Sequence, residues 1–213
     1  MMRNALFCVF LCLFCVRANS VSTKLTSSQE KEAIVRCANY HLYYCELLIN
    51  QGVQSVKSCN ARTECEFIGW LYLQTQEYEL SIPYLYKACM ANNFESCNNL
   101  GISYQRLNNY KKTKKFYKFG CDNGYIISCY NLATLYYEGL GVRRNYKYAN
   151  ELYKKVCNFN QGIGCLHLAI SYANGHGVTK DIDNARSLFN MACILGNNEG
   201  CNFYDEYKEE ELQ

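Results

Sequence analysis

Apolar residues recur at helical spacing along this chain, in blocks separated by polar segments. The stretch from Cys129 to Cys157 contains two such blocks, one in each half. Their apolar positions are Leu132, Ala133, Leu135 and Tyr136 in the first half and Ala149, Leu152, Tyr153 and Val156 in the second. Spacings of three and four residues place side chains on one face of an α-helix. The stretch therefore predicts two amphipathic helices that pack as an antiparallel pair.

The same pattern returns at a regular period. Cys129, Cys165 and Cys201 follow one another at intervals of 36 residues, whereas the repeats that begin at Cys65 and Cys97 are four residues shorter. The shorter repeats lack the GLGV and GHGV turns of the longer ones. A period in the thirties that contains two helices predicts a solenoid of stacked helix pairs. The last complete repeat carries its apolar stripes at Leu168, Ala169, Tyr172, Ala185, Leu188, Phe189 and Ala192. In each of three successive repeats, one small residue on the first helix lets the second helix approach closely, namely Gly101, Ala133 and Ala169.

Cysteines mark the junctions between repeats. Four pairs are separated by eight positions: Cys89 and Cys97, Cys121 and Cys129, Cys157 and Cys165, and Cys193 and Cys201. Eight residues of continuous helix rise about 12 Å, and a disulfide requires Cα atoms roughly 4.4–6.8 Å apart. Glycine and asparagine residues lie between the cysteines and favour helix ends. Each pair therefore predicts a helix end, a tight turn and a helix start joined by a disulfide.

The four remaining cysteines near the amino terminus leave more than one pairing open. We pair Cys37 with Cys45 and Cys59 with Cys65, and the alternatives are Cys37 with Cys59 and Cys45 with Cys65, or another exchange of partners. Zinc sites usually contain two cysteines two to four residues apart, and residues 21–213 contain no such pair. We therefore predict no metal site, and the sequence indicates no cofactor.

The first twenty residues have the pattern of a secretory signal. Arg3 precedes an apolar run from Ala5 to Val16, and small residues lead to a cleavage site that we place after Ser20. Arg17 lies close to this site and keeps an uncleaved anchor as the alternative. Removal of residues 1–20 leaves twelve cysteines and lowers the net charge from +3 to +1. An even set of cysteines in an exported chain predicts disulfides in a secreted or periplasmic protein.

The rest of the chain divides into three parts. Residues 21–58 form an atypical amino-terminal cap or partial repeat, residues 59–204 the repeat solenoid, and residues 205–213 a polar helix end that closes the stack. The near-neutral charge and the absence of a basic stripe with interleaved aromatic residues argue against nucleic-acid binding. We interpret the basic run Lys111–Lys115 as a solvated helix face and expect a monomer with no membrane contact beyond the signal peptide.

The repeat consensus C-x-N-L-G-x-x-Y…G-x-G-V-x-x-D…A…L-Y-x-K-A-C resembles the Sel-one-like repeats, which are relatives of the tetratricopeptide repeat. With a cysteine at each junction, the chain more narrowly resembles the Helicobacter cysteine-rich protein (Hcp) family. The resemblance covers residues 59–204 strongly and residues 30–58 weakly. It implies an all-α fold, a right-handed α/α solenoid of helix pairs with a disulfide at each repeat junction.

The resemblance also implies a binding surface. In such solenoids the first helices of the pairs line a concave surface that holds peptides. By position, we expect the binding residues to be Asn98, Asn99, Tyr130, Asn131 and His167. Tyr130 and Tyr137 lie off the apolar stripe and face the groove in this interpretation, whereas Tyr104, Tyr136 and Tyr172 belong to the core. His176 replaces Leu140 of the preceding repeat, so we interpret it as a turn residue.

A second function follows from the same resemblance. The Hcp family is associated with penicillin binding and slow β-lactam hydrolysis, so a weak β-lactamase that also binds cell-wall fragments is the alternative function. Serine β-lactamases combine Ser-x-x-Lys with Ser-Asp-Asn and Lys-Thr-Gly. Ser28 and Lys31 fit the first motif, and the other two motifs are absent from the sequence. The catalytic residues of such an activity are therefore unknown.

Overall fold

The computed structural model describes residues 59, 61 and 64–209, and the chain divides between Ala91 and Asn92 into two compact units. These residues form nine α-helices and no strands. The first unit contains α1 (Glu64–Gln74) and α2 (Tyr78–Met90). The second contains α3 (Phe94–Arg106), α4 (Tyr110–Asp122), α5 (Ile126–Glu138), α6 (Tyr146–Asn158), α7 (Gly162–Asn174), α8 (Ile182–Ile194) and α9 (Asn198–Glu209). The predicted all-α fold of helix pairs is confirmed, whereas the signal peptide and the cap lie outside the described residues.

The first unit is one helix pair. Helices α1 and α2 pack on each other around Cys65, Ile68, Tyr72, Tyr84 and Ala88, together with Cys59. A Cβ atom on Gly69 would lie 2.7 Å from Cγ of Leu85, so the two helices meet where α1 has no side chain. The Lys87 ammonium donates a hydrogen bond of 2.9 Å to the carbonyl of Cys59.

In the second unit, each helix packs chiefly on the helices next to it in the chain. The predicted stripes form its core, and Tyr136, Tyr172 and Leu188 are only half-buried at the edge of that core. The small residues act as predicted. A Cβ atom on Gly101 would lie 2.5 Å from the ring of Tyr117, and Ala133 and Ala169 are fully buried. Close approach of the paired helices therefore requires these small residues.

Every junction described in the second unit has the same turn. The Cα atoms of the paired cysteines are 4.6 Å apart at Cys121–Cys129 and at Cys157–Cys165, and 4.4 Å apart at Cys193–Cys201. The third residue after the first cysteine is left-handed in each case, namely Gly124 (φ 90°), Asn160 (φ 58°) and Gly196 (φ 83°). Paired backbone hydrogen bonds close the turn, as at Gly124 N to Cys121 O and Tyr125 N to Gly120 O. The predicted helix end, turn and helix start are confirmed.

The structure also decides between two pairings in the amino-terminal half. Cys59 is bonded to Cys65 with Cα atoms 5.4 Å apart, which confirms that pair. Cys89 and Cys97 are disulfide-bonded as well. Cys37 and Cys45 lie outside the described residues.

The turn inside the longer repeats depends on two glycines. Gly139 ends α5 in the left-handed region at φ 78°, and Gly141 follows at φ 64°. A Cβ atom on Gly141 would overlap the Cβ of Tyr110, at the start of α4. In the next repeat, Gly177 lies against the backbone of Tyr146 at the start of α6 in the same way. The four additional residues therefore bring each long turn onto the second helix of the preceding repeat.

The last helix is apolar on one face. Phe203 stacks on Phe189 of α8 with ring centroids 5.0 Å apart, and Arg186 Nε donates to the carbonyl of Tyr207 at 3.2 Å. Of the predicted polar end, residues 205–209 belong to α9 and the remainder lies outside the described residues. None of the described helices is long and apolar enough to span a membrane.

Loss of one junction disulfide is expected to destabilise the chain by about 2–3 kcal/mol, because the bond removes the loop-closure entropy of a short ring from the unfolded state. The double substitution Cys157→Ala and Cys165→Ala tests this by urea denaturation of the oxidised proteins. In excess reductant the two proteins should differ much less. A difference that persists unchanged in reductant would show that the disulfide is not the source of the stability.

Gly141→Ala is expected to destabilise the chain more than Gly139→Ala. Both positions have positive φ, which costs a non-glycine residue roughly 1–2 kcal/mol. Only the Cβ at position 141 also overlaps Tyr110, and overpacking adds about 1–3 kcal/mol. Thermal and urea denaturation of the two variants would measure the difference, and equal losses would contradict the close contact.

Candidate functional site

Two asparagine side chains join consecutive repeats. Nδ2 of Asn131, on α5, donates a hydrogen bond of 2.8 Å to Oδ1 of Asn98, on α3. The Ser128 hydroxyl donates to the same oxygen at 3.2 Å. Asn98 is only 4% exposed, and Asn131 is half-buried. Asn98 therefore positions Asn131, whose own carbonyl oxygen has no hydrogen-bond partner among the described residues.

An aromatic contact joins the next two repeats. The Tyr130 hydroxyl on α5 and Nε2 of His167 on α7 are 3.1 Å apart and share a hydrogen bond. The His167 ring also stacks on Tyr153 of α6, with centroids 5.0 Å apart and planes 15° apart. Tyr153 is fully buried and its hydroxyl lies 3.4 Å from that of Thr134. The His167 ring therefore stacks on the buried Tyr153, and its Nε2 is hydrogen-bonded to the half-buried Tyr130.

The long turn of the last repeat extends this group of rings. Nδ1 of His176 shares a hydrogen bond of 2.7 Å with the Tyr137 hydroxyl, and its ring stacks on Tyr146 with centroids 4.7 Å apart. Asn150 Nδ2 donates to the His176 carbonyl at 2.6 Å and fixes the turn. The rings of Tyr137 and Tyr153 are 6.0 Å apart, which connects both histidines. The resulting aromatic cluster consists of Tyr130, Tyr137, Tyr146, Tyr153, His167 and His176.

Burial favours the neutral forms of these side chains. It lowers the pKa of His167, although the Glu199 carboxylate opposes this in part. It raises the pKa of Tyr130, Tyr137 and Tyr153, so these phenols remain protonated at neutral pH. These three tyrosines, His167 and the Asn98–Asn131 pair therefore present uncharged hydrogen-bonding groups and aromatic faces.

The structure brings together four of the five predicted binding residues, as the pairs Asn98–Asn131 and Tyr130–His167. The fifth, Asn99, is 9% exposed, and its side chain makes no hydrogen bond within the described chain. Sequence reasoning missed Tyr146, Tyr153 and the role of His176, which is more than a turn residue because its ring contacts two tyrosines. One signal was available: α5 carries tyrosines at 130 and 137, and α6 at 146 and 153, a seven-residue spacing that places each pair on one helix face.

Within the described part of the chain, no group of three or more His, Cys, Asp or Glu side chains is arranged to hold a metal ion. The chemistry that the site offers is recognition through amides, phenols and imidazoles.

Comparison with known families agrees with this architecture. Residues 126–158 and 162–197, which hold α5–α6 and α7–α8, match the Sel1 repeat, and residues 65–93 match a tetratricopeptide repeat. Stacked helix pairs of this kind define an α/α repeat protein. Helices α5–α8 therefore consist of Sel1 repeats, and the junction cysteines that carry the narrower resemblance of the chain to the Hcp family are disulfide-bonded. Sel1 and tetratricopeptide repeats generally mediate protein–protein interactions.

Two solved structures show the same fold, and a third is similar at a lower TM-score. A protective antigen of uropathogenic Escherichia coli strains that displays an SLR fold is 21% identical with a TM-score of 0.66, over 79% of this chain and 37% of that one. A Sel1 repeat protein from Oxalobacter formigenes is 21% identical with a TM-score of 0.65, over 85% and 75%. Cysteine-rich protein B of Helicobacter pylori is 29% identical with a TM-score of 0.49, over 60% and 94%. No curated protein matches the chain.

The stability of the chain is expected to fall below pH 6.5 in a way that depends on His167. Burial lowers the pKa of this histidine in the folded state below its ordinary value of 6.5, so the unfolded chain binds the proton more tightly. Urea denaturation at pH 7 and pH 5 should show a smaller loss for His167→Asn, which introduces the residue that the two preceding repeats carry at this position. Equal losses in the two proteins would contradict a neutral, buried His167.

Proposed function

We propose that the chain is an exported module that binds an extended peptide through the first helices of its repeats. The observation that carries this proposal is the pair of contacts between consecutive first helices, Asn98 with Asn131 and Tyr130 with His167. These contacts create a continuous face of amide and aromatic groups across α3, α5 and α7. We call it the amide–aromatic face.

Unused hydrogen-bonding capacity supports this role. A side-chain amide has two N–H donors and a carbonyl acceptor with two lone pairs. Asn131 uses one donor on Asn98, and its acceptor has no partner in the described structure. An amide can bond the N–H and C=O groups of any extended peptide, whatever the side chains. The half-buried rings of Tyr130 and His167 lie beside it and supply contact area for a peptide side chain.

Export is the second part of the proposal. The disulfides of the described residues indicate an oxidising compartment, since cytosolic thiols are kept reduced. Together with the signal-like residues 1–20, they support a secreted or periplasmic protein, and we propose that it acts as a monomer. The β-lactam alternative receives no such support, because Ser28 and Lys31 lie outside the described residues and no described group favours acyl transfer.

A peptide-array screen with the oxidised protein would identify ligands, and Asn131→Ala would then test the face. Loss of one hydrogen bond is worth about 0.5–1.5 kcal/mol, so binding should weaken roughly three- to tenfold. Asn174→Ala is the matched control, because Asn174 is exposed and donates only to the carbonyl of Ile170 in its own helix. The proposal would be contradicted if no peptide on the array bound the protein, or if Asn131→Ala and Asn174→Ala bound the peptide with equal affinity.

A further inference from the structure

Positive charge is concentrated in one part of the second unit. Residues 110–155 carry ten Lys and Arg side chains against three Asp and Glu, whereas the rest of the full sequence carries twelve against sixteen. This segment spans α4 to α6 and includes the basic run Lys111–Lys115. A nearly neutral chain therefore has a strongly basic segment, and local charge of one sign attracts ligands of the other.

The segment contains a cavity of about 530 Å³ lined by three cations. Lys114 comes from α4, and Arg143 and Arg144 come from the turn before α6. Lys114 is half-buried, although the sequence run to which it belongs predicted a solvated face. Arg144 is held in place, because its guanidinium donates to the Glu138 carbonyl at 3.3 Å and to the Tyr146 hydroxyl at 3.2 Å.

These cations have no counter-charge in the described structure. None of the three cations takes part in the ion pairs seen between described residues, such as Lys118–Asp122 and Arg186–Asp183, and the lining of the cavity contains no carboxylate. The backbone N–H groups of Arg143 and Arg144 also make no backbone hydrogen bond within the described chain. The cavity therefore presents hydrogen-bond donors and positive charge without a carboxylate to neutralise them. Anionic oxygen atoms of a ligand would satisfy both.

The remaining walls are partly apolar. Tyr136 and Val142 line the cavity together with the cations. Its volume lies within the range of about 300–1,000 Å³ typical of ligand pockets. A sulfated sugar chain would supply anions but no apolar side chain for these walls, whereas a peptide supplies both.

We propose that this cavity, which we call the basic pocket, binds an acidic peptide segment in which an apolar side chain lies next to carboxylates. Lys114 and Arg143 pair with the carboxylates, and Tyr136 and Val142 contact the apolar side chain. The site is separate from the amide–aromatic face, since the two share no residue, and the proposal does not depend on the function of that face.

The test uses the oxidised full chain and a short fluorescent peptide that alternates leucine with pairs of glutamate, followed by polarisation. The pocket variant is the double substitution Lys114→Glu and Arg143→Glu. The control is Lys154→Glu with Lys180→Glu, two exposed lysines outside the lining and outside α4 that give the same change of net charge. The pocket variant should bind at least about tenfold more weakly. The control should stay within about twofold at physiological salt, where distant exposed charges are screened.

Three results would overturn the proposal. One is equal affinity for a peptide in which glutamine replaces glutamate. Another is an equal loss in both double variants, which would show unspecific attraction by net charge. The third is binding of a sulfated oligosaccharide with no binding of the acidic peptide, which would assign the pocket to anionic glycans. Arg143→Glu alone, at an exposed position, keeps the test valid if the double variant folds poorly.

Discussion

The second unit depends on one geometric constraint, the distance between two Cα atoms eight positions apart. A continuous helix would separate them by about 12 Å, and the structure holds them at 4.4–4.6 Å. The backbone must therefore reverse between the cysteines, and a left-handed glycine or asparagine makes the reversal at the same position each time. Because the turn is the same at each described junction, every new first helix begins in the same relation to the preceding second helix, and the apolar stripes of neighbouring repeats meet.

A second constraint acts within the longer repeats. The additional turn residues contact the preceding repeat, where glycine is required because a Cβ atom would overlap the start of α4 or α6. This contact also builds part of the site. The residue between the two glycines is Leu140 in one turn and His176 in the next. The repeat geometry places that residue against the preceding second helix, so the change from leucine to histidine brings an imidazole onto Tyr146 and Tyr137.

The fold could be predicted because its signals are local and repeated. The period, the apolar stripes and the eight-residue cysteine spacing each recur. A helix or turn that is ambiguous in one repeat can therefore be assigned from the same position in the others. The site could be predicted only in part, because its contacts join residues far apart in sequence. Asn98 and Asn131 are separated by 33 positions and Tyr137 and His176 by 39, and no periodicity shows which atoms meet. The basic run illustrates the same limit: Lys111, Lys112 and Lys115 are exposed as predicted, but Lys114 lines a cavity completed by residues of the next repeat.

The positions that stabilise the repeat and the positions proposed to bind a peptide are therefore different, with one exception that links them. Core positions such as Ala133 and Ala169 are fully buried and always small, whereas the positions one and two residues after Cys97, Cys129 and Cys165 are occupied by asparagine, tyrosine, leucine or histidine. Tyr153 belongs to both groups, because it is fully buried in the core and its ring supports His167. A ligand that contacts His167 thus acts on a ring packed directly against the core. In the proposed function, a peptide bound at that end of the amide–aromatic face would be coupled to the packing of α6, whereas one bound at Asn131 would act on a side chain held only by another amide.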